Sequence, residues 1–134
     1  IKAPITRNKC THVYYCWGAK IDHNKIKISR ELFSKALHHE GFPHGVGYLK
    51  PLYMLPIFQK KIGMGKKGFP FNLNKKINYK EGMCPIVEHL HHKSFFLFEP
   101  CAFQIKTREK KLIKEVFNKI FDNINLLKKN ESLQ

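Results

Sequence analysis

The chain has 134 residues, 43% of them hydrophobic, which is the size and apolar content of one domain with its own core. It carries 25 Lys and Arg against 10 Asp and Glu, a formal charge of +15, and its apolar runs fall far short of the roughly 20 residues of a membrane-spanning helix. These values exclude a transmembrane helix and a chain disordered throughout. The positive excess suits an anionic partner. However, it consists of 22 lysines and only three arginines, Arg7, Arg30 and Arg108, whereas nucleic-acid readers favour the bidentate arginine fork. Lys, Ile and Asn also share A/T-rich codons, which accounts for the excess equally well. A stand-alone basic module binding RNA or another polyanion is therefore the alternative reading, not the first.

Residues 1–10 are polar, contain Pro4 and lack an apolar block, so they predict a connector and no signal peptide. The chain begins without methionine, and an internal start or a processed chain is expected. From His12 to Ile21, Val13, Tyr15, Trp17, Ala19 and Ile21 alternate with polar or small residues, which predicts a strand. Asp22-His23-Asn24 makes a turn. Ser29 is a good N-cap, and Ile28 with Phe33 forms a hydrophobic staple. The helix behind them is predicted over about 30–40, burying Leu32, Phe33, Ala36 and Leu37.

The stretch Gly41–Gln59, GFPHGVGYLKPLYMLPIFQ, holds three prolines, three glycines and two tyrosines. Gly41 closes the helix in a left-handed conformation and Pro43 prevents its continuation. Val46, Tyr48 and Leu49 predict a short extended piece. So apolar a loop is expected to pack on its own core or on a partner. Residues 60–82, rich in Gly and Lys, predict an irregular, partly mobile loop. Pro85 opens a helix to about Lys93; Ser94–Glu99 reads as a strand. Thr107 is expected to cap a last helix with the stripe Leu112, Ile113, Val116, Phe117, Ile120, Phe121, Ile124 and Leu127. The tail from Lys128 is expected to fray. Strands alternating with helices predict an α/β or α+β fold, with a sheet of about three strands covered by helices.

EGFPHGVGYLKPLYMLPIFQ resembles the glycine, tyrosine and proline signature in the C-terminal part of the DegT/StrS family of sugar aminotransferases. THVYYCWGAKID, ISRELFSKALHHEG and MCPIVEHLHHKSFFLFEP stand in the family's order around it. The resemblance implies the small C-terminal domain of a fold type I enzyme over residues 11–128, with 129–134 as a tail. It implies pyridoxal phosphate in the full-length enzyme, a keto sugar (nucleotide-linked) or a cyclitol as acceptor, and a large domain and homodimer partner as the missing neighbours. Many relatives carry His-Tyr where this chain has Gly47-Tyr48, and a histidine where it has Tyr53, which points to a divergent subgroup. Gly47, Tyr48, Lys50 and Tyr53 are the expected substrate-proximal residues. The family draws its Schiff-base lysine, its pyridine-nitrogen acid and its phosphate site from the large domain. No lysine here lies in that context. No catalytic or cofactor-binding residue is therefore assigned in this chain, and the domain alone is expected to cover the active site without performing the chemistry.

Other constellations carry less. His89, His91 and His92 cluster near Glu88, and His38-His39 form a pair, but no second helix offers a matching motif and no metal is expected. Cys84 at a helix start lacks a histidine and an acid to activate it. GMGKKG at 63–68 lacks Walker spacing. Cys10, Cys16, Cys84 and Cys101 show no paired spacing, so reduced thiols and a cytoplasmic location are expected.

Overall fold

The computed structural model describes residues 1–47 and 49–131. Its centre is the apolar strand β3 (Phe95–Phe98), flanked by β1 (Trp17–Lys20) and β2 (Gly45–Val46), both antiparallel to it. The fold is a small α+β sheet-and-helix arrangement. Ala19 pairs with Phe96 and Trp17 with Phe98, so these side chains share one face. That face is covered by α2 (Arg30–His39) and α5 (Thr107–Asp122). Phe33 and Leu37 are fully buried, and Phe33 meets Phe96 edge-on at 5.9 Å between ring centroids. Phe42 joins Phe98 and Phe117 at 5.1 and 5.3 Å. Aromatic and aliphatic burial at roughly 25 cal/mol per Å² holds this layer together.

The helix signals act where the sequence places them. The Ser29 hydroxyl accepts from the Leu32 N–H at 3.1 Å, and Ile28 and Phe33 are both buried. At the far end Gly41 has φ +74°. Its N–H donates to the His38 carbonyl and that of Phe42 to Leu37, each at 2.9 Å. That pair of bonds is a Schellman motif, and Phe42 follows it into the core.

Four expectations change. The N-terminal strand is shorter: Val13 and Tyr15 are 91% and 68% exposed, because no neighbouring strand extends far enough to cover them. The start of the expected connector joins the sheet, since Lys2 and Lys20 exchange backbone bonds of 2.8 and 3.0 Å. The last helix is two helices, broken at Asn123, whose side-chain amide donates to the Lys119 carbonyl at 2.8 Å; its N-cap is Lys106, with Thr107 the first helical residue. The tail does not fray through 131: α6 (Ile124–Glu131) ends on Glu131, whose carboxylate accepts from the Ser29 N–H at 3.1 Å and from the Ser29 hydroxyl. Two oppositely placed helix ends are thereby tied together. Residues 132–134 of the expected tail lie outside the described residues.

Two short helices, α1 (His23–Ile26) and α3 (Pro56–Gln59), sit in the connections. The helix opened by Pro85 is α4 (Pro85–His89), which widens into a π-helical turn over Leu90–Ser94 before β3. No helix among the described residues is long and apolar enough to cross a membrane.

Candidate functional site

The signature stretch and the CPIVEHLHH segment lie against each other at the end of the sheet. β2 positions the first half. Gly47 follows it, is buried and has φ +69°. A Cβ there would stand 2.8 Å from the His91 carbonyl oxygen and 3.2 Å from its Nδ1. Only glycine meets both conditions. The close approach has a purpose in the packing: the His91 Nδ1–H donates to the Gly47 carbonyl at 2.6 Å. A carbonyl only accepts, so this bond places a proton on Nδ1. The His91 carbonyl in turn accepts from the Arg30 guanidinium at 2.6 Å. Arg30 is 7% exposed and shares its charge with Glu31 at 2.7 Å.

Pro51 and the following helical turn Leu52–Met54 aim Tyr53 inward. Tyr53 is 7% exposed and its hydroxyl donates to the Glu88 carboxylate. The same carboxylate accepts from the backbone N–H groups of Gly82 at 2.9 Å and Cys84 at 3.1 Å. Burial first, and then the bond to Glu88, push the phenol from 10.0 up to about 12. The Tyr53 bond is the main cause holding the Glu88 carboxyl below its ordinary value. Burial opposes it, while the Cys84 and Gly82 N–H groups and nearby His92 reinforce it. An accessible Tyr53 hydroxyl, as a substrate-lining loop would present, is therefore not what this residue shows. It is a buried phenol bonded internally. Tyr48 lies outside the described residues.

Residues 60–82 are irregular but extensively bonded. Met64 and Phe69 exchange backbone bonds of 2.7 and 3.0 Å. Phe58, Phe71 and Tyr79 form an aromatic trio with centroids 5.4 to 6.1 Å apart. The Gln59 side-chain amide donates to the Tyr53 carbonyl at 2.6 Å and to the Tyr79 carbonyl at 2.7 Å. One side chain thus pins this loop to the signature stretch.

Between the two loops and the π-helical turn opens a cavity of about 680 Å³. Of the three expected substrate-proximal residues that are described, Gly47, Lys50 and Tyr53, Lys50 lines it. Gly47 and Tyr53 do not line it but accept bonds from residues that do, Gly47 from His91 and Tyr53 from Gln59. Gln59, Asn78, Tyr79, Lys80, His91 and His92 are the residues sequence reasoning missed there. Gln59 closed the signature stretch but carried no motif, and Asn78–Lys80 sat in a tract read as a mobile loop. No group of three or more His, Cys, Asp or Glu among the described residues is placed to hold a metal. No protein-family model, curated protein or solved structure matches this chain.

Proposed function

We propose that this chain is the small, substrate-covering C-terminal domain of a pyridoxal-phosphate-dependent aminotransferase of the DegT/StrS type, acting on a nucleotide-linked keto sugar or a cyclitol. One observation carries the reading. The two stretches that carry the resemblance, 41–59 and 84–92, are far apart in sequence yet share one site, joined by the Tyr53–Glu88 and His91–Gly47 bonds. Residues selected to bind or cover a substrate together are expected to be neighbours in space. The surface beside that junction gives further support. Leu49 and Leu52 in the signature stretch and Ile86 in the CPIVEHLHH segment are 66%, 68% and 77% exposed, large apolar side chains of the kind a neighbouring domain covers.

In this reading the cofactor, held by a separate large domain, supplies the electron sink for amino transfer. The residues of this chain contribute differently. Lys50 offers an ammonium group at the cavity, and the histidine pair offers ring nitrogens. Gln59 and the aromatic trio fix its walls so that the geometry is set before substrate arrives. Tyr53 and Glu88 hold the signature stretch in place from below.

The test is the coding sequence immediately 5′ of the Ile1 codon, read from the transcript. An open frame running into a domain with a cofactor-lysine segment is expected. A stop codon directly upstream, together with salt-steep RNA binding by the chain, would overturn the reading in favour of a polyanion-binding module.

A further inference from the structure

We infer that a separate cavity, where Lys2, the end of β1, α1 and α4 meet, is a binding site for a small aliphatic monocarboxylate. It shares no lining residue with the cavity beside the signature stretch, and the inference does not depend on the aminotransferase reading. Its volume, about 490 Å³, lies in the range of roughly 300–1,000 Å³ that small-molecule sites occupy. Ser94 carries the inference. It lines the cavity, is 3% exposed, and its hydroxyl is buried with no hydrogen-bond partner in the protein. Among the described residues it is the one buried side-chain nitrogen or oxygen left in that state. A buried hydroxyl without a partner weakens a fold, and one that lines a cavity is completed by what enters there.

The charge and shape of the cavity select the ligand class. Apart from His23 and His89, its ionisable lining residues are Lys2, Lys20 and Asp22. Lys2 is paired with Asp22 at 3.2 Å, and among the described residues Lys20 forms no ion pair. One uncompensated ammonium matches one negative charge. A carboxylate accepts from an ammonium and from a hydroxyl at once. Ile21, Pro85, Ile86 and Leu90 line the rest and suit an aliphatic body. The walls are fixed before a ligand arrives. The Ser94 carbonyl accepts from the Ile21 N–H at 2.8 Å. The His23 ring bonds the carbonyls of Ile28 and Lys93 at 3.1 and 2.9 Å, tying α1 to the π-helical turn. Lys2 is held beside Lys20 by their paired backbone bonds. Walls set in this way need little further ordering on binding.

The experiment uses the 134-residue chain and backbone amide NMR, titrated in parallel with 3-methylbutanoate, 3-methylbutan-1-ol and inorganic phosphate. Saturable shifts at residues 20–24, 86, 89–90 and 94 are expected with 3-methylbutanoate, with a dissociation constant of about 1 mM or below. The alcohol lacks the charge and phosphate lacks the aliphatic body, so each should bind at least about tenfold more weakly. Lys20→Gln should weaken 3-methylbutanoate binding about tenfold, in line with one charge-assisted bond lost. Lys114→Gln, on α5, should leave it unchanged. Both lysines are exposed, and an amide spectrum unchanged away from the substitution verifies folding. Ser94→Ala should also weaken binding about tenfold, while its urea midpoint without ligand equals or exceeds the parent's, because the hydroxyl it removes has no partner in the free protein. Those opposite effects separate a ligand-binding hydroxyl from a structural one. A lowered midpoint, or binding as tight as the parent's, would overturn the role of Ser94 and the inference with it. So would the absence of saturable shifts, equal binding of the alcohol or of phosphate, or equal weakening by Lys114→Gln.

Discussion

Gly47→Ala separates two costs that the structure superimposes at one residue. An L-residue at φ +69° pays about 1–2 kcal/mol for the left-handed backbone. The new Cβ would also meet the His91 carbonyl oxygen at 2.8 Å, and pushing into a packed neighbour costs about 1–3 kcal/mol more. Alanine loses less chain entropy on folding, which returns about 0.4–1 kcal/mol. Gly41→Ala is the matched control. Its φ is +74°, but nothing lies within 4 Å of its Cβ position. The backbone and entropy contributions therefore cancel between the two variants. The difference, about 1–3 kcal/mol, reports the His91 contact. Urea unfolding followed by the fluorescence of Trp17, the single tryptophan, measures it through the midpoint at constant slope. Variants equal within about 0.5 kcal/mol would refute the claim that the Gly47–His91 approach fixes this wall of the cavity.

Tyr53→Phe removes the donor to Glu88, so stability should fall and the Glu88 carboxyl, read by carbon NMR, should titrate at higher pH than in the parent; an unmoved carboxyl would count against the bond. Because the folded-state phenol stands at about 12 against 10.0 unfolded, its contribution is complete below pH 10 and is lost as pH rises from there to about 12. Chemical denaturation across that window should show a decline that Tyr53→Phe lacks. Ser29→Ala removes the N-cap of α2 and a donor to Glu131, and should cost about 1 kcal/mol or somewhat more; Glu131→Ala should reproduce part of that loss, and a neutral result for both would sever the tie between α2 and α6.

The ends of α2 and the central strand were legible because each rests on local chemistry. Ser29, Gly41 and Pro43 specify the ends of α2 without reference to the rest of the chain, and Phe95–Phe98 is too apolar to lie anywhere but inside. The extent of β1 was not legible, since alternation continues through Val13 and Tyr15 and only the length of its partner decides where pairing stops. The break at Asn123 was hidden for a related reason: the apolar stripe runs on across it, and the signal is a single side-chain bond to Lys119. At the site, Lys50 could be named from the signature stretch. Its companions could not, because Lys80, His91 and His92 reach it only through tertiary contacts, and the burial of Tyr53, expected to be substrate-proximal, depends on Glu88, 35 residues later. Residues 60–82 carry almost no periodic pattern. Their order comes from the Phe58–Phe71–Tyr79 packing and the two bonds of Gln59, which no window of sequence displays.

The claim that this chain covers a site whose chemistry resides elsewhere is tested most directly by one absorbance titration with pyridoxal phosphate. It is performed on the 134-residue chain and on the product of the whole reading frame that contains it. The account predicts a stoichiometric aldimine band in the whole product, bleached by an amino donor such as glutamate and restored by a keto sugar nucleotide, and only slow labelling of many lysines in the chain alone. A stoichiometric band in the chain alone, abolished by substitution of a single lysine, would contradict it, as would a whole product that binds no cofactor.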